Sequence, residues 1–262
     1  MTNTTAYQVL AQNFSQEHEN RIHSDDVAQR YGFKGALVPG VAVFGHLTHP
    51  LVERFGEAWL GNSVSAVRFF KPAYDGDELT ISCSEDVAGY HLQCVNGDNE
   101  LLAELHSNMP QTQPEPEPEP ETLFAASEKD PQRIPINWDV VVPNQPFHAW
   151  HWQATEERNR VAALQISDEL PIYRNCAHPH LLLSEVNAAL KMEYVMPAWL
   201  HVGSEIRMRS LVKVPDVLRS QTVVLEKWRK KGHEFARTYT TYHRYGELVT
   251  DVYHTFIFTV AS

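Results

Sequence analysis

Residues 40–56 read GVAVFGHLTHPLVERFG. Val41, Phe44, Leu47, Leu51 and Val52 recur at steps of three and four, which is the period of one helix face. Few polar residues interrupt them, so the helix should be buried on most sides. Pro50 falls inside it and predicts a kink. Four strand-like runs follow: VSAVRFF (64–70), ELTISCS (78–84), YHLQCV (90–95) and LLAELHS (101–107). Turn residues separate them, DGD at 75–77 and NGDN at 96–99, as in hairpin-connected antiparallel strands. A sheet with one apolar face needs a cover, and the helix supplies it. The expected unit is a layered α+β module.

The same unit recurs. Ala58-Trp59-Leu60 returns as Ala198-Trp199-Leu200, 140 positions on, and Pro39-Gly40 has its counterpart in Pro179-His180 at the same offset. Asn20-Arg21-Ile22 is echoed by Asn159-Arg160-Val161, and Asp77-Glu78-Leu79 by Asp216-Val217-Leu218, both 139 on. Four matches in order at a nearly constant offset indicate duplication of one module. The second copy predicts a helix over LLLSEVNAALKMEYV (181–195). Its strands are GSEIRMRS (203–210), LRSQTVVLEKW (218–228), HEFARTYTTYHR (233–244) and ELVTDVYHTFIFTV (247–260). Between the halves, PQTQPEPEPEPETLF alternates Pro and Glu, a composition that favours an extended surface connection. The expected division is residues 1–109, a linker over 110–135, and residues 136–262.

Composition narrows the function. A chain of 262 residues with a net charge of −11 lacks the basic face that nucleic acid or an anionic membrane surface requires. No apolar run approaches the ~20 residues of a membrane span. The first residues carry no basic segment leading into an apolar one, so no signal peptide is expected. Cys83, Cys94 and Cys176 are odd in number and show no CxxC spacing. They read as reduced thiols of a cytoplasmic protein. No GxGxxG, P-loop or GxSxG occurs, which sets aside the usual nucleotide and serine-hydrolase readings.

Polar residues cluster just ahead of the first helix, in ENRIHSDD (19–26). The segments NRIH (20–23), GFKGALVPG (32–40) and RFFKPAYDGDELTI (68–81) together resemble the MaoC-like acyl dehydratases and (R)-specific enoyl-CoA hydratases. That resemblance covers about residues 14–108, and residues 138–260 resemble the family's repeat in helix and strands only. It implies a double hotdog, in which each apolar helix is wrapped by an antiparallel sheet. It implies a substrate of the 2-enoyl or 3-hydroxyacyl thioester class, on coenzyme A or an acyl carrier protein, with no cofactor and no metal, and it leaves room for a homodimer. The family histidine corresponds to His23, the asparagine to Asn20 and the helix-start glycine to Gly40. The family aspartate, five residues before the histidine, is here His18, flanked by Glu17 and Glu19, and the proline after the asparagine is Arg21.

The chemistry asks for a base to activate water and an acid to protonate carbon. His23 with Glu17 or Glu19 are the candidates, and Asn20 would orient His23. Gly40 would offer a helix-start N–H to the thioester oxygen. Each has a plainer reading: Asn20 as a cap, His23 as a turn residue, Gly40 as a turn glycine. Asp25 and Asp26 read as first-turn acids of a short helix. In the second half Ala162 stands where His23 does, and His180 where Gly40 does, so one site is expected, in the first half. The HxxH and HxH spacings of His148, His151, His178 and His180 lack a completing ligand. FHAWHW (147–152) reads as core or as the wall of an acyl pocket. Lys227, Arg229, Lys230 and Lys231 form a basic patch able to receive a phosphate. A hotdog thioesterase and a non-catalytic acyl-thioester binding protein remain as alternatives.

Overall fold

A computed structural model describes residues 6–15, 19–116 and 132–261. Glu17, His18 and most of the Pro-Glu segment lie outside the described residues. The first half contains β1 (Tyr7–Leu10), α1 (Asp25–Arg30), α2 (Gly40–Phe55), α3 (Glu57–Gly61), β2 (Ser63–Phe69), β3 (Glu78–Asp86), β4 (Gly89–Val95) and β5 (Leu101–Asn108). A short pair of residues, β6 (Ile134–Pro135), leads into the second half. There follow β7 (Trp150–Gln153), α4 (Glu156–Gln165), α5 (Pro179–Glu193), β8 (Tyr194–Val195), β9 (Leu200–Met208), β10 (Val217–Lys230), β11 (His233–Arg244) and β12 (Glu247–Thr259).

Ten strands form one sheet in the order β1-β3-β4-β5-β2-β9-β12-β11-β10-β7. From the β2–β9 seam outward, one side runs β2-β5-β4-β3-β1 and the other β9-β12-β11-β10-β7. The strand order is therefore the same in both halves, as a duplication requires. The seam itself is a regular antiparallel pair, with Val67 opposite Ser204. The eight long strands fall where alternation and turn residues put them. The four-residue edge strands β1 and β7 were not expected. Trp150, His151 and Trp152 thus belong to a strand paired with β10. Helix α2 runs unbroken through Pro50.

Helices α2 and α5 lie against each other and pack on the sheet. Phe44 and Leu47 of α2 share one apolar cluster with Leu182 and Val186 of α5 and with Leu92, Leu105, Ile206 and Val252 of the sheet. The two halves thus have a common core. A smaller cluster holds Val141, Phe147, Leu190 and Phe256.

The part of the interhalf segment that is described is not a free connection. Gln113 donates to Asn62 Oδ1 at 2.7 Å and to the Met208 carbonyl at 3.1 Å. Arg209 donates to the Pro114 carbonyl at 2.8 Å and Arg207 to that of Glu115 at 3.3 Å. Residues 110–116 are fastened along the seam.

Candidate active site

Asn20 caps a single 3-10 turn, Arg21–His23, and is buried. Its amide reaches across to the second half. Oδ1 accepts from the Trp199 N–H at 3.1 Å, and Nδ2 donates to the Trp199 carbonyl at 3.0 Å. Pairing with both groups of one residue fixes which end of the amide is oxygen. The same Nδ2 lies 3.2 Å from His23 Nε2. On the other side of that ring, Nδ1 is 2.7 Å from the Leu37 carbonyl. A carbonyl only accepts, so Nδ1 carries the proton and Nε2 is the basic nitrogen, receiving the Asn20 N–H. Asn20 and Leu37 therefore hold His23 in one tautomer and one orientation.

Asp25 serves the same loop. Its Oδ1 accepts from the Ala36 N–H at 2.7 Å, drawing the segment before α2 against α1. This is a longer-range duty than the first-turn role its position suggested.

Helix α2 starts at Gly40 after Pro39, which provides no side-chain cap. The positive end of its dipole suits an anion or a polarised oxygen. Glycine is needed here for a reason the sequence did not show. A Cβ at Gly40 would sit 2.8 Å from Nδ1 of His201 and 3.2 Å from that residue's Cβ. The space is filled by a ring from the second half.

His23, Asn20, Gly40 and His201 all line one cavity of about 750 Å³, together with Phe14, Phe69, Val43 and Ile257. Four lysines, Lys71, Lys191, Lys230 and Lys231, also line it. Three of them are exposed, which marks where the cavity meets solvent. No carboxylate occurs among the described residues lining it. Glu19 is turned elsewhere: its carboxylate pairs with Arg133 and accepts from the Met196 N–H at 3.2 Å. The basic patch divides. Lys227 and Arg229 lie over the ring of Trp138, while Lys230 and Lys231 reach the cavity. Phe147 and Trp152 are buried in the core and are not among the cavity's lining residues.

The corresponding place in the second half is closed. His178 caps α5, its Nδ1 accepting from the His180 N–H at 3.0 Å, and Asn159 Oδ1 accepts from the His178 N–H at 2.7 Å. His180 turns its Nδ1–H onto the Ala162 carbonyl at 3.1 Å. Behind them Asp168 accepts from His178 at 3.3 Å and lies 3.0 Å from His49 Nδ1. The HxH pair is thus a buried structural network. His148 bonds Glu193 at 2.8 Å. Among the described residues, one group has metal-ligand spacing: His91, Glu104 and His106, on β4 and β5, with donor atoms within 4.8 Å of one another. It stands apart from the cavity.

His201, which sequence reading missed, is tied to the site twice, by Gly40 and by the Asn20–Trp199 bonds two residues earlier. The available signal was Gly203, a lone glycine in a strand, which marks a bulge or a close backbone approach. A Cβ there would lie 2.7 Å from the Val67 carbonyl.

No protein-family model and no curated protein matches this sequence. Solved structures do match it in fold. A conserved Mycobacterium tuberculosis protein, described as having a double hotdog fold, superposes with a TM-score of 0.66 at 11% identity, over 98% of this chain and 96% of that one. This is a double hotdog. A putative MaoC domain protein dehydratase from Chloroflexus aurantiacus matches this double hotdog with a TM-score of 0.62 at 14% identity, over 99% and 96%. A putative oleoyl thioesterase from Lactobacillus plantarum gives 0.54 at 10%, over 100% and 99%. Identities this low establish a shared fold. No helix among the described residues is long and apolar enough to cross a membrane.

Proposed function

We propose that this double hotdog is a hydro-lyase acting on 2-enoyl or 3-hydroxyacyl thioesters. The observation that carries the reading is His23, held with a basic Nε2 at the wall of the cavity into which the uncapped start of α2 opens. The acyl chain would lie along the apolar wall of Phe14, Val43, Phe69 and Ile257. The thioester oxygen would sit at the Gly40 N–H. In hydration, the Asn20 amide gives up His23 Nε2 to a bound water, Nε2 takes a proton from that water, the hydroxide oxygen bonds to C3, and the C2–C3 π electrons pass to C2 and the thioester oxygen. The proton then returns to C2. Dehydration reverses each step. The phosphate groups of coenzyme A or of a carrier-bound pantetheine suit the three exposed lysines at the cavity's solvent side, Lys71, Lys230 and Lys231, which otherwise stand out in an acidic chain.

The experiment is hydration of crotonyl and longer enoyl thioesters, followed by loss of the enoyl-thioester absorbance, with free thiol assayed in parallel. His23→Ala should lower turnover by about 10²–10⁴, the range for losing a general acid or base, and leave the melting temperature close to wild type. Thiol release without hydration identifies a thioesterase instead. Binding with neither signal identifies a non-catalytic acyl-thioester binding protein. A His23→Ala variant as active as wild type removes His23 from the chemistry.

A further inference from the structure

Strand β5 turns Ala103 and Leu105 into the core, and β4 does the same with Leu92 and Cys94. Alternation then sends Glu104 and His106 of β5, and His91 and Gln93 of β4, to the outer face of the sheet. The register sets His91 directly opposite His106 and Gln93 opposite Glu104. Two histidines and a carboxylate therefore meet on that face, two of them from β5 and one from the neighbouring strand. The His91 and His106 rings stack at a centroid separation of 4.3 Å, 9° from parallel. One ligand-type atom from each of the three residues lies within 4.8 Å of the other two.

An ordinary cross-strand polar pair would make a hydrogen bond, and this one does not. His91 Nε2 stands 3.7 Å from Glu104 Oε2, too far for a hydrogen bond. It has no hydrogen-bond partner among the described residues, although it is covered. A covered ring nitrogen left unmatched costs free energy that a ligand recovers. The groups against it are the Glu104 carboxylate and the His106 ring, so its cover is made by the other two candidate ligands. His106 is exposed, and its ring can swing aside without moving the strand. Glu104 divides its oxygens. Oε1 faces Arg68 Nη1 at 3.5 Å, across the β2–β5 ladder, while Oε2 faces the His91 ring. The guanidinium thus orients the carboxylate without taking that oxygen, as the outer partners of metal ligands do. Its charge opposes a cation only weakly, because its side chain is 70% exposed and solvated. In a tetrahedral zinc site, with bonds of about 2.0–2.1 Å, ligand atoms lie about 3.4 Å apart. The His91–Glu104 pair is already close to that, and the widest separation closes with at most about 1.4 Å of side-chain movement.

We propose that His91, Glu104 and His106 form a site for a divalent transition-metal ion, with Zn²⁺ the best fit. Imidazole and carboxylate donors together suit ions of the zinc class, whereas Mg²⁺ takes oxygen ligands. His91 Nε2 and Glu104 Oε2 face the ion, and the His106 ring turns to close over it. Three protein ligands leave the fourth tetrahedral position to water. The ion ties β4 to β5 on the outer face of the sheet. None of the three residues lines the acyl cavity, so the site neither rests on the hydro-lyase reading nor falls with it.

The test titrates the full chain, with no added histidines, against Zn²⁺ by calorimetry. A parallel titration with Co²⁺ follows its visible absorbance, which is intense only when the ion has exchanged most of its water for a four- or five-coordinate site. Wild type should bind one equivalent of either ion, and a large excess of Mg²⁺ should not displace it. His106→Ala and Glu104→Gln should each weaken binding by about 10²-fold or more, since changing even an outer partner of a ligand costs 10–100-fold. Both should remove the cobalt band. Both lie on the outer face and should melt close to wild type; if one does not fold, the other decides. His151→Ala changes an exposed histidine of the HxxH pair and should bind as wild type does. No binding by wild type overturns the proposal, and so does wild-type affinity in either His106→Ala or Glu104→Gln. Loss of binding in His151→Ala places the ion at the HxxH pair and overturns it as well. Displacement by Mg²⁺ overturns the assignment to a zinc-class ion.

Discussion

Gly40 answers to two neighbours at once. It starts the helix at the cavity wall, and its missing side chain leaves room for His201, whose Nδ1 would stand 2.8 Å from a Cβ. The nearest atoms belong to a ring packed at a tilt against Phe69 and His254, at centroid separations of 4.6 and 4.3 Å, so the ring has little freedom to yield. Gly40→Ala should therefore push His201 off the helix start. Overpacking of this kind costs about 1–3 kcal/mol. Thermal unfolding should show that loss, and turnover should fall further than the stability change alone explains. An alanine variant with wild-type melting and wild-type turnover would mean that His201 moves aside freely.

At the level of elements, the seam between β2 and β9 joins the halves, and a charged group lies beside it. Asp251 of β12 is fully buried. It pairs with Arg209, lies 3.7 Å from Arg207 and accepts from the Tyr239 hydroxyl at 3.2 Å. Removing one partner of a buried pair leaves a charge without compensation and costs about 3–5 kcal/mol. Arg209→Met should lower the denaturant midpoint accordingly. It should also loosen residues 113–115, because Arg209 holds the Pro114 carbonyl, and faster amide exchange there is the local readout. Unchanged stability would show that Arg207 alone satisfies Asp251. These contacts also show what the sequence could and could not reveal. Strand alternation and the offset of 139–140 residues disclosed the long strands and the duplication, because both are local patterns repeated in order. The edge strands β1 and β7 have four residues each and owe their pairing to β3 and β10 rather than to their own pattern. The local motif around His23 and Gly40 was legible. His201 was not, because its placement depends on a bulge and on a helix from the other half. The partner of Glu19 was equally hidden: Arg133 is 114 positions away.

Across the whole molecule, burial has gathered histidines that cannot easily be charged. Burial pushes His46 down to about 4, and His180 and His254 down to about 3. In the unfolded chain each titrates near 6.5. Above that value both states bind the same protons at these sites, and stability does not depend on them. Below it, the unfolded chain takes up about three protons that the folded chain refuses, until the folded values are reached. Three protons correspond to roughly 4 kcal/mol per pH unit. Domains have only about 5–15 kcal/mol in hand, so the protein should be stable from pH 8 to 7 and weaken steeply below about pH 6. Asp168 acts in a lower window. Burial alone would raise its carboxyl, but hydrogen bonds from His178 and His49 outweigh that and hold it below the usual range. Its contribution is present above the ordinary aspartate value and is lost only under stronger acid. His46 isolates the effect, since neither ring nitrogen has a hydrogen-bond partner among the described residues. His46→Leu should reduce the proton uptake on unfolding by about one and raise the melting temperature at pH 5.5 more than at pH 8. Denaturant melts at several pH values measure both quantities. A wild-type midpoint that stays level from pH 7 to pH 5 would mean that these rings are charged in the folded protein.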